Sequence, residues 1–253
     1  MTPAIELQSV HKSYGRKVAV HDLTLSVPPG ELFAFLGPNG AGKTTTIKMI
    51  CGLLHPQQGT ISVCGHTMGI NGLTAKAMIA YVPDQPFLYD KLTGREFLLF
   101  VAEMYRVPPE RRDRIIDELA VQLDMGDFLD RLTESYSHGM KQKTVLSAAL
   151  LHDPEVLVID EPMVGLDPRT VRVVKDLFRA RSARGKAVFM STHTLGIAEA
   201  VANRIGIIHQ GRLIALGGLE DLRRHARNEH TLEDIFLQLT HPRAGDADDA
   251  TEI

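Results

Sequence analysis

The sequence predicts an α/β fold with a mainly parallel β-sheet, and three observations predict it. Leu32–Leu36 and Val156–Ile159 are short continuous apolar runs, as expected of strands buried on both faces in a parallel sheet. Segments of helical character follow these runs, at Thr45–Leu53 and Pro168–Arg184. The first run also leads directly into a glycine-rich loop that opens a helix, the strand–loop–helix setting in which a chain cradles phosphate.

Taken in order, the first thirty residues read as strands. Ile5, Leu7 and Val10, then Val18, Val20, Leu23, Leu25 and Val27, alternate loosely with polar residues, and Pro28-Pro29-Gly30 makes a turn. Thr60–Val63 and Ile79–Val82 are further short strands. Near Leu88 the texture changes. Thr93 and Glu96 have the spacing of a capping box, in which each side chain satisfies the other's orphan backbone N–H. Helical periodicity then runs to about Leu132, broken at Pro108-Pro109, which outlines a helical sub-domain over about 88–150. Strand texture returns at Ala187–Ser191 and Ile205–His209, with a helix at Leu195–Asn203 between them. Gln210-Gly211 is a hairpin turn into Leu213–Leu216. Residues 241–253 hold four acidic residues and almost nothing apolar, and read as a disordered tail.

Composition narrows the classes of function. At 44% hydrophobic and 23% charged residues the chain is globular in balance, and a net charge of -3 supplies no overall field toward nucleic acid, so no nucleic-acid partner is expected. No apolar run approaches the roughly 18 residues needed to span a bilayer. The N-terminus carries no basic segment followed by an apolar core, so no signal peptide is expected. Cys51 and Cys64 read as two buried free thiols.

Gly37-Pro38-Asn39-Gly40-Ala41-Gly42-Lys43-Thr44 fits G-x-x-x-x-G-K-[ST] at every fixed position. Glycines let the backbone curl until successive N–H groups point at phosphate oxygens, and the helix that follows adds its positive dipole end. Lys43 is then the partner of the β- and γ-phosphates, and Thr44 offers a hydroxyl to Mg²⁺. Downstream, Val156–Ile159 runs into Asp160-Glu161, so two carboxylates sit at the carboxyl edge of the sheet, where α/β ligands bind. Asp160 is expected to hold Mg²⁺ through a water, and Glu161 to polarise the attacking water.

Four further segments give the sequence a family resemblance. Ser137-His138-Gly139-Met140-Lys141-Gln142 resembles the L-S-G-G-Q signature of ABC ATPases. Gly165-Leu166-Asp167-Pro168 is similar to their D-loop, Ser191-Thr192-His193 to their switch histidine, and Tyr14 stands where the family places an aromatic that stacks on adenine. Order and spacing agree over about residues 4–217. The resemblance implies an α/β core with an N-terminal antiparallel β region and an inserted helical sub-domain, over residues 1–240. It implies an ATP hydrolase that uses ATP and Mg²⁺. Two copies would join head to tail, each ATP lying between one copy's Gly37–Thr45 loop and the other's Ser137 and Gly139. Asp167 would tie the two sites together, Glu161 would be the base, and His193 would hold the γ-phosphate and the water. Ser137 would double as a helix N-cap.

The sequence departs from the family pattern in two places. Tyr136, His138 and Met140 replace the usual leucine, first glycine and glutamine of the signature, while Ser137 and Gly139 are kept. After Tyr81-Val82-Pro83, most relatives carry a glutamine that meets Mg²⁺, the water and the membrane partner. Here Asp84 stands there and Gln85 one place later. Asp84 is favoured as the metal-facing residue, with a shifted loop presenting Gln85 as the alternative.

A single ATPase unit without a heptad run favours a transporter subunit docked on separate membrane subunits, at the cytoplasmic face of the plasma membrane. The rival is a soluble ABC ATPase acting on ribosomes, DNA or cluster assembly. The segments Leu88–Phe97 and Thr231–Thr240 are similar to exporter ATPases of the ABC-2 and Ecs-like groups, which favours export over import.

Overall fold

The computed structural model describes residues 1–69, 72–225 and 231–240. The acidic stretch 241–253 lies outside the described residues. In chain order the elements begin with β1 (Ile5–Tyr14), β2 (Lys17–Val27), β3 (Leu32–Leu36), α1 (Lys43–Ile50), β4 (Gln58–Val63) and β5 (His66–Thr67). They continue through α2 (Leu73–Ala77), β6 (Ile79–Val82), α3 (Gly94–Met104), α4 (Pro109–Gln122) and α5 (His138–Leu150). The rest are β7 (Val156–Asp160), α6 (Pro168–Ala183), β8 (Ala187–Thr192), α7 (Leu195–Val201), β9 (Arg204–His209), β10 (Arg212–Gly217), α8 (Leu219–His225) and α9 (Leu232–Thr240).

Among the described residues the strands form two sheets. One has the order β2-β1-β4-β5, with every pairing antiparallel. The other has the order β10-β9-β3-β8-β7-β6 and is parallel except at its β10 edge. The N-terminal antiparallel region and the mainly parallel core therefore stand as expected.

Side-chain alternation on the central strands divides the interior into two layers. Leu32, Ala34, Leu36, Leu157, Ile159, Val188 and Met190 face the helices α3–α7. Phe33, Phe35, Val156, Val158 and Phe189 face α1 and the antiparallel sheet. There the Phe33 and Phe189 rings stack with centroids 5.3 Å apart. Both faces of the sheet are covered, which is why β3, β7 and β8 read as unbroken apolar runs.

The helices α3, α4 and α5 all fall between β6 and β7. The Thr93–Glu96 capping box is formed in both directions, at 3.1 and 2.8 Å. Three boundaries and one burial differ from the sequence reading. The helical periodicity expected to run to about Leu132 ends with α4 at Gln122, and turns lead on from there. The helix after the glycine-rich loop begins at Lys43 and ends at Ile50, not at Leu53. Gly52, at φ +65°, turns the chain, and the Leu53 N–H donates back to the Lys48 carbonyl at 2.8 Å, closing the last turn. The helix predicted to reach Asn203 stops at Val201, because the Asn203 amide and side chain pair with Leu32 at the edge of β3. Cys51 is a buried free thiol as expected, but Cys64 is only partly buried, in the turn between β4 and β5.

Candidate nucleotide site

The glycine-rich loop leaves β3 at its carboxyl end and enters α1. Two glycines in it answer to close approach. A Cβ on Gly37 would lie 2.4 Å from the Ile208 carbonyl oxygen. Gly42 caps α1 at φ +113°, a conformation that side chains rarely adopt, and a Cβ there would lie 2.4 Å from the Ala19 carbonyl oxygen. The loop is thus pressed against β9 and β2, and its free face opens on a cavity of about 290 Å³. Tyr14, Asn39, Gly40, Gly42, Lys43 and Thr44 line that cavity. Thr45, Asp84, Asp160 and Glu161 complete the predicted set on its wall.

Gly37, Pro38 and Ala41 lie behind the cavity. Lys43 Nζ donates to the Gly37 carbonyl at 2.6 Å and to that of Pro38 at 3.3 Å. Burial pushes the Lys43 ammonium below its ordinary pKa, and the negative charges of Glu161 and Asp160 pull it back up. Buried Ala41 fixes the loop through its carbonyl, which accepts the Gly211 N–H at 2.9 Å.

The carboxylates come from the end of β7. Thr44 Oγ1 donates to Asp160 Oδ2 at 3.0 Å, and Ser191 Oγ donates to Asp160 Oδ1. Glu161 follows with φ +53°, a left-handed backbone that costs a non-glycine residue of order 1–3 kcal/mol. The surrounding contacts hold it there. Its N–H donates to the Ser191 carbonyl at 3.1 Å, and Thr192 Oγ1 donates to Glu161 Oε2 at 3.1 Å. The His193 N–H donates to Glu161 Oε1 at 3.1 Å, and His193 Nδ1 lies 2.7 Å from the same oxygen. The left-handed turn thus swings the Glu161 carboxylate away from the strand, between the cavity and the histidine.

Ser137, Gly139 and Asp167 also lie off this wall. Ser137 caps α5, its Oγ accepting the Met140 N–H at 3.3 Å. Gly139 packs on the chain that follows β7, where a Cβ would lie 2.6 Å from the Gly165 carbonyl oxygen. Asp167 caps α6: its carboxylate accepts the Thr170 N–H at 2.9 Å and the Thr170 hydroxyl at 2.6 Å. Those bonds hold its pKa down to about 2. Signature and D-loop segments therefore form one joined surface, separate from the nucleotide wall of the same chain.

The unusual signature residues fit this packing. The Tyr136 hydroxyl accepts the Gly94 N–H at 3.1 Å and donates to the Phe128 carbonyl at 2.7 Å, tying the loop to α3. The His138 ring lies directly over Gly165. On the disputed loop, Asp84 lines the cavity while Gln85 is exposed and takes no part in the wall.

A family model described as "ABC transporter" matches residues 20–164. The Nod factor export ATP-binding protein I of Burkholderia orbicola is 38% identical over 213 residues, covering 84% of this chain and 70% of that protein. This chain belongs to the ABC transporter family. The linearmycin resistance ATP-binding protein of Bacillus subtilis is 36% identical over 236 residues, covering 93% of this chain and 74% of that protein. A solved ATP-binding subunit of an ABC transporter superposes with TM-score 0.89 at 33% identity, covering 93% of this chain and 99% of that one. A dimeric ATP-binding cassette in a post-hydrolysis state bound to ADP and phosphate shares the fold, with TM-score 0.76 at 24% identity, covering 85% of this chain and 98% of that one.

As an ABC ATPase subunit, the chain binds and hydrolyses ATP in the service of transport. Among the described residues no helix is long and apolar enough to cross a membrane.

Several residues of this ABC site lie outside the residues its motifs single out. Lys17 and Ala19 line the cavity beside Tyr14, and Ser191 and Thr192 hold the two carboxylates. Ser191 was legible in principle: it pairs in register with Asp160 on the neighbouring parallel strand. Lys17 and Ala19 depend on the return of β2 over the loop, which no local pattern announces.

Proposed function

We propose that this chain is the ATPase subunit of an exporter, working as a head-to-tail homodimer on separate membrane subunits at the cytoplasmic face of the plasma membrane. One ATPase unit over 1–240, carrying a helical insertion at about 88–150, suits that role. The observation that carries the reading is the placing of Glu161, whose carboxylate sits between the Lys43–Thr44 loop and His193. Export is supported by two relatives whose names are those of an export protein and a resistance protein.

In this reading Tyr14 stacks on adenine, and the backbone from Gly37 to Thr45 cradles the phosphates. Lys43 exchanges its carbonyl partners for β- and γ-phosphate oxygens. Thr44 Oγ1 and Asp160 offer hard oxygen donors 3.0 Å apart, which suits Mg²⁺, an ion that takes one or two carboxylates together with phosphate oxygens. Bound there, Mg²⁺ supplies charge compensation on the β- and γ-phosphates. Asp84, on the same wall, is the third oxygen donor proposed for it. Glu161 accepts the proton of the attacking water, and His193 holds Glu161 and the γ-phosphate. Ser137 and Gly139 of a second copy close the γ-phosphate side, and Asp167 links the two sites.

The membrane subunit is proposed to dock beside Asp84, where Phe87, Tyr89 and Phe100 form an exposed aromatic cluster with Tyr89 in edge contact with both neighbours. The test is ATP turnover, and retention by detergent-solubilised membrane subunits, for Phe87→Ser/Phe100→Ser. Lost retention with basal turnover kept supports the docking surface; unchanged retention contradicts it.

A further inference from the structure

A second cavity, of about 300 Å³, lies between α4 and α6, with the C-terminal end of α5 as part of its floor. Leu150, on that floor, is 13 residues from Ser137, so along α5 the cavity is about 20 Å from the signature end. It shares no residue with the nucleotide cavity.

Its wall is basic. Arg111 and Arg114 reach it from α4, and Arg181 and Arg184 from α6 and its C-cap. Two carboxylates line the same cavity, Glu118 and Asp153. Glu118 faces Arg114 at 3.8 Å, and Asp153 pairs with buried Arg181 at 3.2 Å. Asp153 is also shared with Lys186 at 3.0 Å. The Arg111 side chain makes no hydrogen bond or ion pair among the described residues, and the Arg184 side chain donates only to the Ala180 carbonyl of its own helix, at 3.2 Å. The Arg184 charge also opposes that of Arg181. Two positive charges thus stand uncompensated over one cavity, above a floor of Leu119, Leu150 and Leu177.

We propose that this cleft binds a phosphate monoester carrying a short apolar body. A monoester brings a charge of about −1.5 to −2, matching the two free guanidinium groups, and its oxygens suit their paired N–H donors. The leucine floor takes the apolar part. The ligand bridges α4 to α6, so it ties the helical insertion to the core. This inference stands independently of how the chain is used in transport.

The test fills the nucleotide cavity with saturating Mg²⁺–ADP and titrates phenyl phosphate by calorimetry. One saturable site per chain is expected, weakened at least tenfold in Arg111→Glu/Arg184→Glu. It should weaken less in Arg111→Gln/Arg184→Gln, whose smaller charge change guards against misfolding. Inorganic phosphate should bind several-fold more weakly. A parallel arm sediments the protein with phosphatidic acid vesicles: variant-sensitive binding there but not to phenyl phosphate assigns the phosphate to a lipid headgroup. Absence of saturable binding in both arms, or binding equally tight in the charge-reversed variant, overturns the site. Equal affinity for inorganic phosphate overturns the role of the leucine floor.

Discussion

His193 Nδ1 lies 2.7 Å from Glu161 Oε1, and the His193 backbone N–H donates to that same oxygen at 3.1 Å. One oxygen of the carboxylate is thereby fixed by two atoms of one residue, while Thr192 Oγ1 holds the other. A base positioned this way loses its function when its charge is removed, without losing its place. Glu161→Gln should fold normally, bind ATP, and lose ATP turnover by about 10²–10⁴-fold, the usual share of a general base. Because hydrolysis then cannot separate the copies, an ATP-bound dimer should accumulate in gel filtration. Turnover at the native rate would falsify the assignment.

Asp84 and Gln85 separate cleanly. Only Asp84 lines the nucleotide cavity. Asp84→Ala should raise the Mg²⁺ concentration needed for half-maximal turnover, and Gln85→Ala should leave it unchanged. If neither variant alters the Mg²⁺ dependence, this loop takes no part in the site.

The loop glycine at the start of α1 is open to a simple steric test. Gly42→Ala puts a Cβ where the Ala19 carbonyl stands, at a φ of +113°. The expected result is loss of nucleotide binding with a fall in stability of about 1–3 kcal/mol. Equilibrium ATP binding and denaturant unfolding measure the two effects.

His152 gives a pH dependence of stability. Its ring stacks on Tyr105 with centroids 3.8 Å apart, and burial pushes its pKa down to about 4, with Arg181 and Lys186 also lowering it and Asp153 opposing them. The unfolded chain therefore binds this proton at higher pH than the folded one does. The contribution is fully present above about pH 6.5 and is lost as pH falls from there toward 4. His152→Phe, which keeps a ring against Tyr105, should flatten the melting-temperature curve over that interval.

What was legible in the sequence was local chemistry with fixed spacing. The Gly37–Thr44 loop, the Asp160-Glu161 pair and the Thr93 capping box each act over a few residues, so the chain order displays them whole. The early end of α1 escaped a reading that carried the helix to Leu53, although Gly52 marks it. What could not be read was anything assembled across the fold. Lys17 meets the loop only because β2 doubles back over it. The pairing of Gly139 with Gly165 needs α5 to lie beside the end of β7, and the arginine cleft needs α4 to approach α6. The left-handed backbone of Glu161 is likewise invisible in a residue type that rarely adopts it.

Each ATP site is proposed to be built from two copies, one giving Lys43 and the other Ser137. Mixing two inactive variants tests it most directly. Lys43→Ala removes the phosphate ligand. Ser137→Asp keeps a good N-cap for α5 but sets a negative charge against the γ-phosphate. Each variant alone should be inactive. In an equal mixture half the dimers are mixed, and each of those holds one intact site, so turnover should recover to about a quarter of the native rate. No recovery on mixing, with both variants folded and able to dimerise, would place the whole site within one chain and rule out the shared site.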